Sequence, residues 1–338
     1  MLLQQKDSGK TIDFTLRAAR SEDASKIISC IRDAYGDTYV KPFLYSPEGI
    51  IHHQQSGEMC FSVAETPDGD IAGITACEYS EHFPGLGEIA CQVVCREYNG
   101  FGLALPLACH SMHQAQLRPL SGQFARALGC HLISQKTLDG MGFTACGFLL
   151  NVFDKTRFLH RYQNGDYAKI PQSVAVKRQD KTHGGSIWLP AELQQAARNV
   201  YEGLGLPYTL RESDPAPSHP GRWDEEYNEA HGTLTLWSRQ CGSDFASYLD
   251  QRLSALSSRP GQTVNLYLNL SLPGCAAAYA AARQMGFLFT GFLPCGGDGE
   301  YLILHHPLSL PVNLDNIPHI PQYAPILAQI RRQLCQIL

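Results

Sequence analysis

The chemistry of this chain is best approached from Asn99-Gly-Phe-Gly-Leu-Ala104, a stretch that separates an apolar run from an amphipathic one. Ahead of it, Gly87 to Tyr98 contains Ile89, Val93 and Val94, the β-branched apolar content of a buried strand. Behind it, apolar residues fall at Leu103, Leu107, Ala108, Met112 and Ala115, close to one face of a helix. Gly100 and Gly102 therefore sit in a turn that opens a helix. The first N–H groups of a helix lack partners within it and the helix dipole favours negative charge, so such a turn can hold a phosphate. Glycine lets a ligand approach the backbone closely. An ordinary strand-to-helix turn has the same composition, and the surrounding elements have to decide between the two.

Those elements follow a definite order. Phe14 to Arg17 reads as a first strand, and Ser21 is expected to cap a helix whose apolar face is Ala24, Ile27, Ile28, Ile31 and Tyr35. A loop carrying Tyr39, Phe43 and Tyr45 leads to Ser46-Pro47-Glu48, a helix start. Met59 to Glu65 and Ile71 to Tyr79 are strands joined by a Pro-Asp-Gly turn. The central strand, glycine turn and helix come next. A fifth strand from Gly122, a helix from Leu132 and a closing strand from Gly142-Phe143 to Phe153 complete the series. This order, with the turn, resembles the GNAT N-acyltransferase superfamily, whose acyl-CoA signature is a Gln or Arg followed at three and five residues by Gly and Gly/Ala. Here those positions are Asn99, Gly102 and Ala104, so Asn99 departs from the pattern. The resemblance covers about residues 14 to 153 and implies an α/β fold, a central mixed β-sheet flanked by helices.

What the resemblance implies chemically is transfer of an acyl group from acetyl-CoA, or another acyl-CoA, to an amine. Backbone groups of Val93, Val94 and Cys95 would pair with the pantetheine arm, while Asn99, Gly100, Phe101, Gly102, Leu103 and Ala104 would cradle the pyrophosphate. An amine near pKa 10 must lose a proton before it attacks. Glu88, on the central strand where histone-type members carry a catalytic Glu, is the candidate base, with Glu78 and Glu97 as alternatives. Burial there would raise its pKa toward neutrality; a water-facing charge at the strand edge is the plainer reading. Many members carry a Tyr acid four residues before the Gly of Gly-Phe, but Leu138 stands there and leucine cannot donate a proton. Ser134 and His131 are the substitutes. Tyr39, Phe43 and Tyr45 lie in the loop that often lines the acceptor pocket of such proteins, or they simply pack.

An internal repeat extends the reading. Met141 to Leu149 (MGFTACGFL) recurs at Met285 to Leu293 (MGFLFTGFL), 144 positions on (285 − 141). With 338 residues, two domains are the natural expectation: residues 12–155 as the acyl-CoA-binding domain, 170–310 as a degenerate GNAT-like domain and 311–338 as an extension with an amphipathic helix. No counterpart of the glycine turn occurs in the second half, so CoA is expected to bind only the first. The terminal helix, with Ile326, Leu327, Ile330, Leu334 and Ile337 on one face, docks on the body or on a second copy in a homodimer. A net charge of −5 gives no basic footprint for nucleic acid, and no stretch has the apolar length of a signal peptide or membrane span, so a cytoplasmic protein is expected. The 12 cysteines contain no C-x-x-C pair, and no metal is expected. The function expected is N-acyl transfer to a small-molecule or protein amine. The opposing class is a non-catalytic acyl-CoA sensor or interaction module.

Overall fold

A short polar hairpin precedes the expected first strand: β1 (Leu2–Gln4) pairs antiparallel with β2 (Thr11–Asp13). The computed structural model, which describes residues 1–154, 168–179, 185–295 and 299–336, is mixed α/β. β3 (Thr15–Ala18) leads to α1 (Ala24–Tyr35), whose residues Ala24, Ile27, Ile28, Ile31 and Tyr35 are all buried, as the 3.6-residue period requires. Ser21 does not cap this helix. A 3-10 turn at Ser21–Asp23 comes first, and Asp23 accepts from the Arg20 N–H at 2.7 Å and from Arg17 Nη1 at 2.6 Å. A carboxylate tied to a guanidinium makes the stronger anchor. α2 (Pro47–Gln55) begins where expected, with Ser46 Oγ accepting from the Gly49 N–H at 3.0 Å.

β4 (Met59–Glu65), β5 (Ile71–Tyr79) and β6 (Leu86–Val94) continue the sheet antiparallel, joined to β3 at one edge. α3 (Ala104–Ala115) then crosses to β7 (Gly122–Leu128), which lies parallel to β6. The order β3-β4-β5-β6-β7 belongs to a first compact unit, Met1–Arg126 with Lys136–Gly142. α4 (Ile133–Gly140) and β8 (Thr144–Phe153) follow in the chain.

The second compact unit comprises Ala127–Gln135 and the described residues from Phe143 onward. After β8 come β9 (Ile170–Arg178), β10 (Ser186–Ile187), α5 (Gln194–Leu204), β11 (Thr209–Leu210), β12 (Arg222–Asn228) and β13 (Thr233–Gln240). Then follow α6 (Phe245–Ser257), β14 (Thr263–Asn269), α7 (Cys275–Gln284), β15 (Leu288–Pro294), β16 (Glu300–His306) and α8 (Ala324–Leu334). Its strands run β12-β13-β14-β16-β15-β8-β9. The closing strands of the two sequence repeats, β8 and β15, pair antiparallel at Gly147↔Gly291, the equivalent glycine of each copy. A Cβ on Gly147 would lie 2.8 Å from the Gly291 Cα and 2.9 Å from the Thr290 carbonyl oxygen, distances that only glycine avoids.

α8 docks within this unit. Ile326, Leu327 and Ile330 are buried, Gln333 Oε1 accepts from the Phe289 N–H at 2.8 Å, and Gln333 Nε2 donates to the Tyr279 hydroxyl at 2.7 Å. Ile337, assigned to the same face by the sequence, lies outside the described residues. All twelve cysteines are free thiols. Among the described residues no helix is long and apolar enough to cross a membrane.

Candidate active site

The site is built on an interruption of the sheet. β6 and β7 are in register only at Leu86↔Gly122, Gly87↔Gln123 and Glu88↔Phe124, although β6 runs on to Val94. On its other edge β6 stays paired with β5, but through a bulge: Ile74 faces Val93 and Ala76 faces Ala90, leaving Cys91 and Gln92 opposite Thr75 alone. Cys91 takes φ 53°, a left-handed conformation that a non-glycine residue adopts at a cost of about 1–3 kcal/mol and that recurs at functional sites. Beyond Val94 the chain holds to β5 through the Cys95 N–H, which donates to the Ala72 carbonyl at 2.9 Å.

The glycine turn follows, and its side chains alternate inward and outward. Phe101 and Leu103 are buried in a core with Phe14, Ala64, Ala72 and Leu107. The Phe101 ring meets Phe14 edge-on at 5.4 Å. Gly100 and Gly102 point the other way, both exposed and both at positive φ, 86° and 76°. A Cβ added to Gly102 would meet nothing within 4 Å. No side chain caps α3, and Pro106 in its first turn has no N–H to satisfy. Asn99 is exposed, and its carbonyl accepts from Gln5 Nε2 at 2.8 Å, so the N-terminal hairpin braces the turn.

Beside the bulge lies a cluster of charged groups. Glu78 on β5 and Glu88 on β6 stand directly opposite each other, an arrangement that repels unless each carboxylate has its own cation. Each does. Lys41 Nζ reaches Glu78 at 2.6 and 2.9 Å, and Arg126 on β7 grips Glu88 through two N–H bonds of 2.9 and 2.6 Å. Glu88 is thus buried and doubly bonded, not a charge facing water. Burial pulls the Lys41 ammonium down, but Cys91, Glu78 and Glu88 together outweigh it and leave it raised. Burial pushes the Cys91 thiol up to about 12, with Lys41 pulling the other way.

The loop between α1 and α2 delivers both Lys41 and Tyr39 to this cluster. Tyr45 fixes the loop: its hydroxyl accepts from the Tyr39 N–H at 2.8 Å and donates to the Gly36 carbonyl at 2.9 Å. Burial first, with Cys91 and Tyr35 adding to it, pushes the Tyr39 phenol well above its ordinary range. Phe43 packs instead against His53, with ring centroids 3.9 Å apart.

Of the residues proposed from sequence, Glu88, Glu78, Val93, Val94 and Cys95 share the β5–β6 ladder, and Asn99 to Ala104 form the turn at its end. Glu97 is exposed and pairs loosely with Lys10 at 3.9 Å. Ser134 is half-buried in the first turn of α4 and counts with the second unit; Leu138, in the same helix, is buried. Lys41 and Arg126 were missed. A lysine or arginine opposite an interior carboxylate is the signal for them, but their partners lie 37 and 38 residues away and only the fold brings them together. Among the described residues no group of three or more His, Cys, Asp or Glu could hold a metal ion.

The second unit contains a strand-helix-strand element of the same kind, and it is closed. β13 and β14 are parallel and stay paired from Thr233↔Thr263 to Ser238↔Leu268. The start of α6 is filled by the chain itself: the Ser243 N–H donates to the His219 carbonyl at 2.9 Å, and Asp244 accepts from the Gly221 N–H at 2.7 Å. A Cβ on Gly242 would fall 1.9 Å from the Gly221 nitrogen.

No protein-family model matches the chain, and no curated protein matches it. Solved structures do. It is similar to an N-acetyltransferase from Staphylococcus aureus Mu50, at 20% identity and a TM-score of 0.40 over 50% of this chain and 99% of that one. It is similar to a GNAT superfamily phosphinothricin acetyltransferase from Sinorhizobium meliloti solved with acetyl-CoA, at 17% identity and 0.41 over 49% and 88%. A spermidine N-acetyltransferase from Vibrio cholerae matches at 18% identity and 0.40 over 50% and 95%.

Proposed function

We propose that the first unit binds an acyl-CoA, acetyl-CoA in the first instance, and transfers its acyl group to an amine. The observation that carries this reading is the parting of β6 from β7 after three residue pairs, next to an uncapped helix start faced with exposed glycines. The residues fit such a ligand. Val93, Val94 and Cys95 lie where β6 has run past its pairing with β7, the stretch along which a pantetheine arm would lie, and the Asn99 to Ala104 turn offers N–H groups and, at Gly102, open space to a pyrophosphate. The acyl-CoA supplies an activated thioester carbonyl. The chain then has to accept a proton from the amine and hold the reacting centre out of water.

We assign the first task to Glu88. A carboxylate has about four lone-pair sites, and Arg126 uses two of them. The remaining sites on Glu88 and Glu78 can accept from an ammonium or from a water that carries its proton away. Incubation with acetyl-CoA and a panel of polyamines, amino acids and lysine peptides, read as free-thiol release, tests the transfer. Release with none of them, despite measurable acetyl-CoA binding, would remove the enzyme reading. What would then stand is an acyl-CoA sensor, a reading favoured by one observation: both interior carboxylates are already held by cations of the chain. The closed second element supports a single acyl-CoA site per chain.

A further inference from the structure

The glycine turn has a neighbour outside the expected element order: residues 5–10, the tip of the β1–β2 hairpin, lie against it. The Lys6 N–H donates to the Gly100 carbonyl at 3.3 Å, and Gln5 Nε2 donates to the Asn99 carbonyl at 2.8 Å. A Cβ added to Gly100 would meet Gln5 Cγ at 3.3 Å and Asp7 Oδ2 at 4.0 Å. The tip is closed on itself by the Gln5 N–H, which donates to the Lys10 carbonyl at 2.8 Å, and the Gly9 N–H, which donates to the Gln5 carbonyl at 3.0 Å. These bonds hold the backbone of Lys6 at the turn and leave its side chain exposed.

The turn itself carries no cation: position 99 is an exposed, uncharged Asn, and residues 100–104 are Gly, Phe, Gly, Leu and Ala. The hairpin tip carries two, Lys6 and Lys10. Lys10 faces Glu97 at 3.9 Å, whereas among the described residues Lys6 makes no ion pair. Gly100 and Gly102 are at most about 7 Å apart along the chain, and the four-carbon stem of a lysine spans about 6 Å, so the Lys6 ammonium can reach the open space over Gly102. Asp7, beside it, places a carboxylate near the same turn and opposes an anion there.

We propose that Lys6, held by its backbone N–H at Gly100, is the side-chain cation that pairs with the pyrophosphate of the acyl-CoA, supplying the charge that Asn99 lacks. The assignment rests on the acyl-CoA reading of the first unit. It makes the β1–β2 hairpin part of the ligand site, with Gln5 a positioning residue and Asp7 a carboxylate that weakens the grip.

The test is acetyl-CoA affinity by calorimetry on the intact chain and its variants, at low salt and at about 1 M salt, where charges are screened beyond about 3 Å. Lys6→Gln keeps the backbone N–H that docks the hairpin and removes only the charge. It should weaken binding about three- to tenfold at low salt and by much less at high salt. Lys6→Arg should restore most of that loss, and Asp7→Asn should tighten binding. Lys10→Gln makes the same change in net charge on an ammonium that already faces Glu97, and should shift affinity by less than about twofold. Unchanged binding by Lys6→Gln, a loss equally large at high salt or not restored by Lys6→Arg, an equal loss in Lys10→Gln, or weaker binding by Asp7→Asn overturns the assignment of Lys6 while leaving the acyl-CoA site standing. Failure of the unaltered protein to bind acetyl-CoA would overturn the acyl-CoA reading itself.

Discussion

Substituting Gly102 separates the ligand-binding role of the turn from its structural role. Gly102 sits at φ 76° with nothing within 4 Å of an added Cβ, so Gly102→Ala carries the left-handed penalty, about 1–2 kcal/mol, without any clash. Gly102→Glu carries the same penalty and adds a carboxylate over the start of α3. Two unit charges about 4 Å apart at an effective dielectric of about 20 repel by about 4 kcal/mol, which is about a thousandfold in affinity. Both variants should therefore lose the same few degrees of Tm, about 2–4 °C, but only the glutamate should abolish acetyl-CoA binding in calorimetry. Gly102→Gln, with the bulk and without the charge, should fall between. If Gly102→Glu bound acetyl-CoA within about threefold of Gly102→Ala, no phosphate would be held at this turn.

Two further outcomes test the second unit. Gly147→Val should lower stability by about 3 kcal/mol or more, because the first side-chain carbon already meets the backbone of Gly291 and Thr290, which cannot rotate away; chemical denaturation read by tryptophan fluorescence of that unit measures it. His305 is fully buried, and burial first, then His306 and Lys169, hold its pKa at about 3, below the ordinary value of 6.5. The unfolded chain therefore binds the extra proton first: this contribution is complete above about pH 6.5 and is lost as pH falls toward 3, by up to about 1.4 kcal/mol per unit. Acid titration of His305→Asn should show a shallower loss; an unchanged curve would place the acid sensitivity elsewhere.

Local signals in the sequence located most elements of the first unit because they depend on neighbours in the chain: the buried face of α1, the Ser46 cap, the turn at Gly69 and the glycines before α3. The error at Ser21 was also local. Asp23 competes for the same helix start, and the guanidinium that decides the matter comes from Arg17 on the preceding strand. The decisive features of the site were not legible because they are differences in pairing. Nothing in Ile89 to Val94 announces that β7 will leave after Phe124, or that Cys91 will turn to φ 53°. The repeat was visible as text, but the meeting of its two copies at Gly147 and Gly291 is a tertiary contact. Likewise the segment Ser213 to Arg222 reads only as a polar, proline-rich loop, whereas its His219 carbonyl and Gly221 N–H bond to Ser243 and Asp244 and fill the start of α6.

The central claim, one acyl-CoA site per chain at the parting of β6 and β7, is tested most directly by titrating acetyl-CoA into the intact protein in a calorimeter, with Gly102→Glu measured alongside. The account predicts one equivalent bound by the unaltered chain and none by the variant. Two equivalents, or one that survives Gly102→Glu unchanged, would contradict it.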